Sequence, residues 1–271
     1  LGEQTLACPI EWHTPQPATI ESLQRVHTPE YVKAFLHGQL DRAAQRRSGF
    51  VWSQALVERV RLETGGTLLT LEAALATGLA CNSAGGTHHA HADAASGYCL
   101  INDLAVAAAH ALAQGWVERV LIVDCDVHQG DGTARLFAND PGVFTFSMHA
   151  ARNFPARKAK SDLDIALPNG MEDAAYLAEL ASWLPGVLAA YQPDVVLYDA
   201  GVDVHHDDRL GYLSLSSDGL YARDHYVLNL CRESDIPVAA VIGGGYDRDI
   251  TALAARHAQL HRAAADVLAA H

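Results

Sequence analysis

The sequence predicts an α/β protein built on a central, mostly parallel sheet flanked by helices, and three observations predict it. Apolar runs at Val120–Val123, Val143–Met148, Val195–Ala200 and Pro237–Ile242 are separated by longer stretches of helical periodicity at Ala174–Tyr191, Ser216–Arg232 and Ile250–Ala270. The apolar runs do not alternate with polar residues, as expected of strands covered on both faces by helices. The chain has 271 residues, 49% of them hydrophobic, enough for one large core, and it contains no internal repeat, low-complexity tract or linker. One domain over residues 1–271 is the expectation.

Taken in order, the first ~35 residues, with Pro9, Pro15, Pro17 and Pro29, read as an irregular segment wrapping the surface. Leu79-Ala80-Cys81 is a further short apolar run, followed by Gly85-Gly86 and the pair His88-His89. Val120–Val123 reads as a buried strand. Glu172 and Asp173 stand ahead of one helix, and Ser217 and Asp218 ahead of another, where side-chain oxygens can cap free N–H groups.

Composition excludes several classes. The net charge of −13, from 19 basic and 32 acidic residues, repels phosphate backbones, so nucleic acid is not an expected partner; such a surface either favours cationic ligands or serves solubility alone. No apolar run approaches the ~20 residues needed to cross a bilayer, and no basic-then-apolar leader opens the chain, so no membrane partner is expected. Cys8, Cys81, Cys99, Cys125 and Cys231 are odd in number and scattered, which argues against a disulfide framework or a Cys-rich zinc site and for a reducing, cytoplasmic setting. Oligomeric state leaves no signal.

In an open parallel sheet, ligands bind beyond the carboxyl ends of the strands. The stretch VLIVDCDVHQGDG carries a buried-strand pattern directly into Asp124, Asp126, His128 and Asp131. Asp203 follows the Val195–Ala200 run, and Gly243-Gly244-Gly245-Tyr246 follows Pro237–Ile242. Catalytic Zn²⁺ takes three ligands from His and Asp or Glu and leaves a position open. Alternate residues of an extended segment face one way, so Asp126 and His128 can share one ion that Asp203 completes, leaving Asp124 a different role. A single strand-end Asp is ordinarily a turn cap; so many carboxylates beside an imidazole are rarely buried together unpaired.

The ordered set GGTHHAHADAASGYCLIND, VLIVDCDVHQGDG, DAGVDVHHDDRLG and GGGY resembles the zinc-dependent histone deacetylase family. Its HQGDG variant is similar to the class IV branch and to bacterial histone deacetylase-like amidohydrolases. The likeness runs from His27-Thr28-Pro29-Glu30-Tyr31 to the final helix. It implies an arginase-like three-layer fold and a lysine deacylase that removes acetyl or longer acyl groups by zinc-activated water.

By position, the resemblance implies Asp126, His128 and Asp203 as ligands of Zn²⁺, or of Fe²⁺ in its place. His88, His89, Tyr246, Asp124 and Asp131 match the catalytic residues: His89 to move the proton, His88 to support developing charge, Tyr246 to polarise the carbonyl, and the two Asp to orient the histidines. Tyr98 and Phe154 match aromatic walls around the acyl-lysine stem, with Gly97 and Gly244 beside the substrate. Asp124, Asp126, His128, Ser147 and Met148 match a structural K⁺ site. Gln129, in place of a second His, falls on the face opposite His128. Family members carry about 30 more residues, including a first strand, before the region matched by Leu1 onward, so an N-terminal segment is expected to be missing; without it the sheet has an exposed edge.

The expected partner is an acyl-lysine peptide or protein, or a small acylated amine. An acylpolyamine amidohydrolase using the same chemistry, and a non-catalytic acyl-lysine binder, are the alternatives; an arginase-type paired-metal site needs more carboxylates than the sequence offers. His257 and His261, at i and i+4 of a helix, read as a solvated face. His91, Asp93, His205, His206 and Asp207 read as loop residues, and His149 as a hydrogen-bonded rim residue.

Overall fold

The computed structural model describes residues 6–271. Four helices, α1 (Ile20–Leu23), α2 (Pro29–Leu36), α3 (Arg42–Ser48) and α4 (Gln54–Thr77), lead into β1 (Leu79–Cys81), and α5 (Asp103–Gln114) leads into β2 (Val120–Asp124). Then come α6 (Asp131–Leu136), β3 (Val143–Ala150), β4 (Leu163–Leu167), α7 (Asp173–Tyr191), β5 (Val195–Asp199), α8 (Ser217–Glu233), β6 (Val238–Val241) and α9 (Ile250–Ala270). The strands form one sheet in the order β1-β6-β5-β2-β3-β4, and every pair is parallel.

The pleat explains the unbroken apolar runs. Leu121 and Val123 of β2, with Phe146 and Tyr198, face α7, α8 and α9 through Leu180, Val227 and Leu260. Val120 and Ile122, with Val195 and Leu197, face α4 and α5 through Leu71, Leu104 and Ala108. Successive side chains point to opposite faces, and both faces are dry.

β2 lies at the middle, with β3 on one side and β5 on the other; the chain runs on from β2 to β3 and from β5 to β6, in opposite directions across the sheet. That divergence opens a crevice at the carboxyl ends of β2 and β5, the usual ligand position in such sheets. Register sets Asp124 level with both Ser147 and Asp199.

Arg223 of α8, wholly buried, locks the two strand ends together. Its guanidinium donates to the carbonyls of Cys125 (3.1 Å) after β2 and of Gly201 (2.7 Å) and Ala200 (2.9 Å) after β5, and its Nε donates to Asp224 (2.9 Å).

Several expectations are corrected. The first 35 residues are not irregular throughout: Thr28 caps α2, Pro29 occupies its first turn, and Tyr31, Val32 and Phe35 are buried. Pro29 is thus a helix-start signal rather than a breaker. Tyr31 donates from its hydroxyl to the Leu100 carbonyl (2.7 Å), and the Asn102 N–H donates to His27 Nε2 (3.0 Å), so this segment braces the loop carrying His88 and His89. Ser217 and Asp218 lie inside the first turn of α8, whose cap is Ser216. Glu172 occupies the cap position of α7 without a side-chain hydrogen bond. Asp173 is drawn away to accept from the Ser216 N–H (2.8 Å) and hydroxyl (2.6 Å). β4, with Asp164 inside it, is an edge strand too polar to stand out as an apolar run. His257 and His261 are partly buried rather than solvated, and burial lowers His257 to about 4.

Two stability outcomes follow. Arg223→Ala leaves buried carbonyls and Asp224 without their cation and is expected to cost about 3–5 kcal/mol in urea unfolding; Arg223→Lys, lacking the planar fork, should not restore it. Ser216→Ala should cost about 1 kcal/mol, whereas Glu172→Ala, which removes no cap bond, should leave the melting temperature near that of the parent.

Candidate active site

At the carboxyl end of β2 the chain leaves the extended conformation, so the convergence of Asp126 and His128 does not come from strand alternation. Turn hydrogen bonds produce it instead: Asp124 Oδ1 accepts the Asp126 N–H (3.1 Å), and Asp126 Oδ1 accepts the His128 N–H (2.8 Å). From the end of β5, Asp203 accepts the Val127 N–H (2.8 Å). His128 Nδ1 consequently lies 3.0 Å from Asp126 Oδ1 and 3.0 Å from Asp203 Oδ2. All three side chains are buried.

Gly244 closes this group from the β6 side. Its N–H donates to Asp126 Oδ2 (3.0 Å), and a Cβ there would stand 2.6 Å from both Asp126 Oδ2 and Asp203 Oδ2. Only glycine permits that approach.

Electrostatics reflects crowded buried charge. Burial disfavours the His128 cation, yet the two carboxylates raise it to about 10. Burial and then Asp126 push the Asp203 carboxyl up to about 7, while His88 and His128 overcome burial to hold Asp126 below the usual carboxylate range. Two carboxylates and an imidazole, with no Lys or Arg bonded to them among the described residues, suit a divalent cation with mixed N/O ligands.

Among the described residues, three His/Asp groups bring candidate ligand atoms within 4.8 Å of one another: Asp126/His128/Asp203, His88/Asp124/Asp199 and His205/His206/Asp207. Of their members, only His128 lines the cavity described below.

His88 and His89 sit beside the first group. His88 Nδ1 is 2.7 Å from Asp124 Oδ2, His89 Nδ1 is 2.8 Å from Asp131 Oδ1, and the two Nε2 atoms face each other at 3.2 Å. Each carboxylate accepts a ring N–H and so fixes the tautomer. Burial opposes charge on His88, but Asp124 and Asp126 outweigh it and raise the ring well above the ordinary value. Burial and the His88 charge lower His89 to about 3, against the pull of Asp131, leaving its ring neutral.

A cavity of about 600 Å³ opens onto His89 and His128. Its walls include Gly97, Tyr98, Phe154 and Tyr246. Phe154 stands edge-on to the His89 ring at 4.8 Å, and Tyr98 lies 5.9 Å from Tyr246. Reciprocal Ser96–Cys99 backbone hydrogen bonds close a tight turn with positive φ at both Gly97 (50°) and Tyr98 (62°), the signature of a type I′ turn. The turn projects Tyr98 to the mouth, where it is half exposed. A Cβ on Gly97 would meet His89 Cδ2 at 2.4 Å. Tyr246 is fixed by its N–H to Asp208 Oδ2 (2.6 Å), and burial followed by Asp126 keeps its hydroxyl protonated.

The remaining expected residues lie elsewhere. Ser147 and Met148 are buried in β3, Ser147 level with Asp124. Gln129 points away from His128, donating to Asp164 (2.6 Å) and accepting from the Ala159 N–H (2.8 Å). None of His205, His206 and Asp207 lines the cavity; Asp207 pairs with Arg256 at 3.2 Å. His149 is buried against Ser147 Oγ at 3.0 Å.

Sequence reasoning missed four residues. Asp103 shapes the histidine loop by accepting from the Thr87 N–H (2.7 Å) and hydroxyl (2.6 Å) and from the Gly86 N–H (3.1 Å). Its neighbour Asn102 caps α5 and donates to the His88 carbonyl (3.2 Å). An Asn-Asp pair before an apolar helix was the available signal. Asp208, which anchors Tyr246, left none. Asp199 ends its strand as Asp124 does; it is buried, neither of its oxygens has a hydrogen-bond partner among the described residues, and burial with Asp124 drives its carboxyl well upward.

Among proteins of similar sequence, an uncharacterized protein of Picosynechococcus sp. is 51% identical over 267 residues, covering 98% of this chain and 89% of its own. Histone deacetylase 2 of Arabidopsis thaliana is 32% identical over 73% of this chain and 52% of its own length, and the acetoin utilization protein AcuC of Staphylococcus aureus is 29% identical over 89% and 67%. The crystal structure of an HDAC homolog complexed with SAHA superposes with a TM-score of 0.80 at 28% identity, covering 95% of this chain and 72% of that one. An HDAC homolog from Aquifex aeolicus gives 0.78 at 26% identity, covering 93% and 71%. These folds are arginase-like, in keeping with the parallel sheet between helix layers. With a model of the histone deacetylase domain matching residues 2–262, and that fold shared nearly throughout, the chain belongs to the histone deacetylase domain family.

Proposed function

We propose that the protein is a zinc-dependent lysine deacylase, with Fe²⁺ able to replace Zn²⁺, that hydrolyses the amide of an acyl-lysine side chain. The observation that carries this reading is a buried Asp126/His128/Asp203 group whose imidazole opens into an aromatic-walled cavity beside a neutral His89. An HDAC homolog of the same fold has been crystallised in complex with SAHA, which supports a small acylated ligand for this fold.

Asp126, His128 and Asp203 would hold the metal, which when bound supplies Lewis acidity for the carbonyl and the attacking water. The carbonyls of Asp124, Asp126 and His128, with Ser147 and Met148, would hold a structural K⁺. Tyr98 and Phe154 flank the methylene stem, and Gly97 keeps the channel open against His89. His89, neutral and oriented by Asp131, accepts a proton from water at Nε2 as the C–O bond forms. Cationic His88, held by Asp124, stabilises the negative charge that develops on the reacting group. The Tyr246 hydroxyl donates to the carbonyl oxygen as it becomes an oxyanion. His89 then returns the proton to the nitrogen as the C–N bond breaks, so the acyl group leaves as a carboxylic acid and the lysine as an amine, the acid's proton passing to the amine to give carboxylate and ammonium.

The direct test is an assay of zinc-loaded protein against acetyl-lysine peptides, long-chain acyl-lysine peptides and acetylpolyamines. Cleavage of acyl-lysine peptides is expected; much faster cleavage of acetylpolyamines would favour the polyamine reading instead. Asp203→Ala should lose both activity and metal, read by elemental analysis, and full retention of both would refute the ligand assignment. His89→Ala should keep its metal and melting temperature while kcat falls about 10²- to 10⁴-fold. Tyr246→Phe should lower kcat about 10²- to 10³-fold with a smaller change in KM, because its hydroxyl acts mainly on the transition state. Unchanged turnover in folded, metal-loaded His89→Ala would point to a non-catalytic binder.

A further inference from the structure

The cavity mouth carries the opposite charge to the protein as a whole. Against a net charge of −13, Arg46, Arg47 and Arg152 line the cavity, and no Asp or Glu does. All three arginines are exposed, and among the described residues none makes an ion pair or a side-chain hydrogen bond. Their positions are tied to the two aromatic walls. Arg46 and Arg47 end α3, whose capping Gly49 packs so closely on the Tyr98 ring that a Cβ there would stand 2.5 Å from it. Arg152 is two residues before Phe154, in the segment ARNFPARKAK, which has four basic residues and no acidic one.

The Phe154 segment is tied down by hydrogen bonds on both sides of the aromatic ring. Asn153 donates to the Leu210 carbonyl (2.7 Å) and accepts the Tyr212 N–H (2.9 Å), and Lys158 donates to the carbonyls of Asn153 and Pro155. Asp208, from the same loop as Leu210, is turned inward onto the N–H groups of Tyr246, Leu210 and Gly211 and does not neutralise the mouth.

Arginines with no internal partner, set on both sides of a channel, leave guanidinium donors free for carboxylates. The overall negative field opposes an anion at long range, but it is screened beyond about 8 Å at physiological salt, so the local arginines decide what docks at the mouth. We infer that the mouth selects acyl-lysine flanked by carboxylates, as in a peptide with Asp or Glu beside the modified residue; this rests on the deacylase reading above. Net charge left a cationic ligand and mere solubility as alternatives; the arginines that line the mouth give this one place the opposite sign. A polyamine, with ammonium groups along its length, would meet three like charges.

Matched acetyl-lysine peptides with Asp/Glu, Ala/Ser or Lys/Arg flanks test the inference through kcat/KM on the zinc-loaded enzyme. Free Nε-acetyllysine against its carboxamide separates a main-chain carboxylate from side-chain ones as the group recognised. Acidic flanks should exceed basic ones by about tenfold at low salt, and the gap should close as salt rises to about 0.5 M. Arg46→Ala, Arg47→Ala and Arg152→Ala should each shrink the preference about two- to fivefold. The pair Arg47→Glu with Arg152→Glu should invert it, with melting temperature reporting that the fold is intact. Neutral peptides cleaved as fast as acidic ones, or a preference for basic flanks, would overturn this inference while leaving the deacylase reading standing. No cleavage in any arm would remove that reading, and this one with it.

Discussion

Four carboxylates, Asp124, Asp126, Asp199 and Asp203, are buried within one turn of chain from the ends of two adjacent parallel strands. Taking such groups out of water without compensation costs several kcal/mol apiece. Much of the surrounding architecture can be understood as that compensation. Backbone N–H groups of Val127, His128 and Gly244 point at carboxylate oxygens, and His88 and His128 supply positive charge. A divalent cation between Asp126, His128 and Asp203 would relieve the rest. Arg223 approaches the same strand ends from the opposite side, through carbonyls rather than carboxylates, and so holds β2 and β5 in register without neutralising the ligand group.

That constraint explains why the site is rigid and why its components come from so many segments. The N-terminal helices pack on the histidine loop, α5 caps it with Asn102 and anchors it with Asp103, and Asp208 fastens Tyr246 from across the crevice. Close backbone approaches at Gly97 and Gly244 leave no room for a side chain between histidine, carboxylate and cavity. Groups held this tightly would lose little entropy on binding a ligand. The mouth obeys a looser rule. Tyr98, Phe154, Arg46, Arg47 and Arg152 stand on turns and helix ends, exposed, where residues can change without disturbing the buried charge balance.

The residues that meet at the candidate site were legible in the sequence because their placement at strand ends depends on local order. A strand that must be dry on both faces shows as an unbroken apolar run, and a run that ends in Asp124, Asp126 and His128 announces a polar site at the sheet's edge whatever surrounds it. Asp203 and Tyr246 were legible for the same reason, each following its own apolar run. Less local features escaped. β4 is an edge strand with a polar residue inside it, α2 begins at a proline that also reads as a breaker, and of the two acidic residues ahead of α7 Glu172 makes no cap bond while Asp173 binds Ser216, 43 residues away in sequence.

By itself, then, the sequence determined the parallel α/β architecture, the strand ends that carry the site and the residue types found there, because apolar periodicity and strand-end chemistry are properties of neighbouring residues. Tertiary structure decided the strand order that sets Asp124 beside Asp199, the approach of Asp203 to Val127 and His128, the role of Arg223, and the local charge of the mouth. Net charge sums over the whole chain and hides where its members sit, whereas burial, register and screening act over a few ångströms, between residues that only folding brings together.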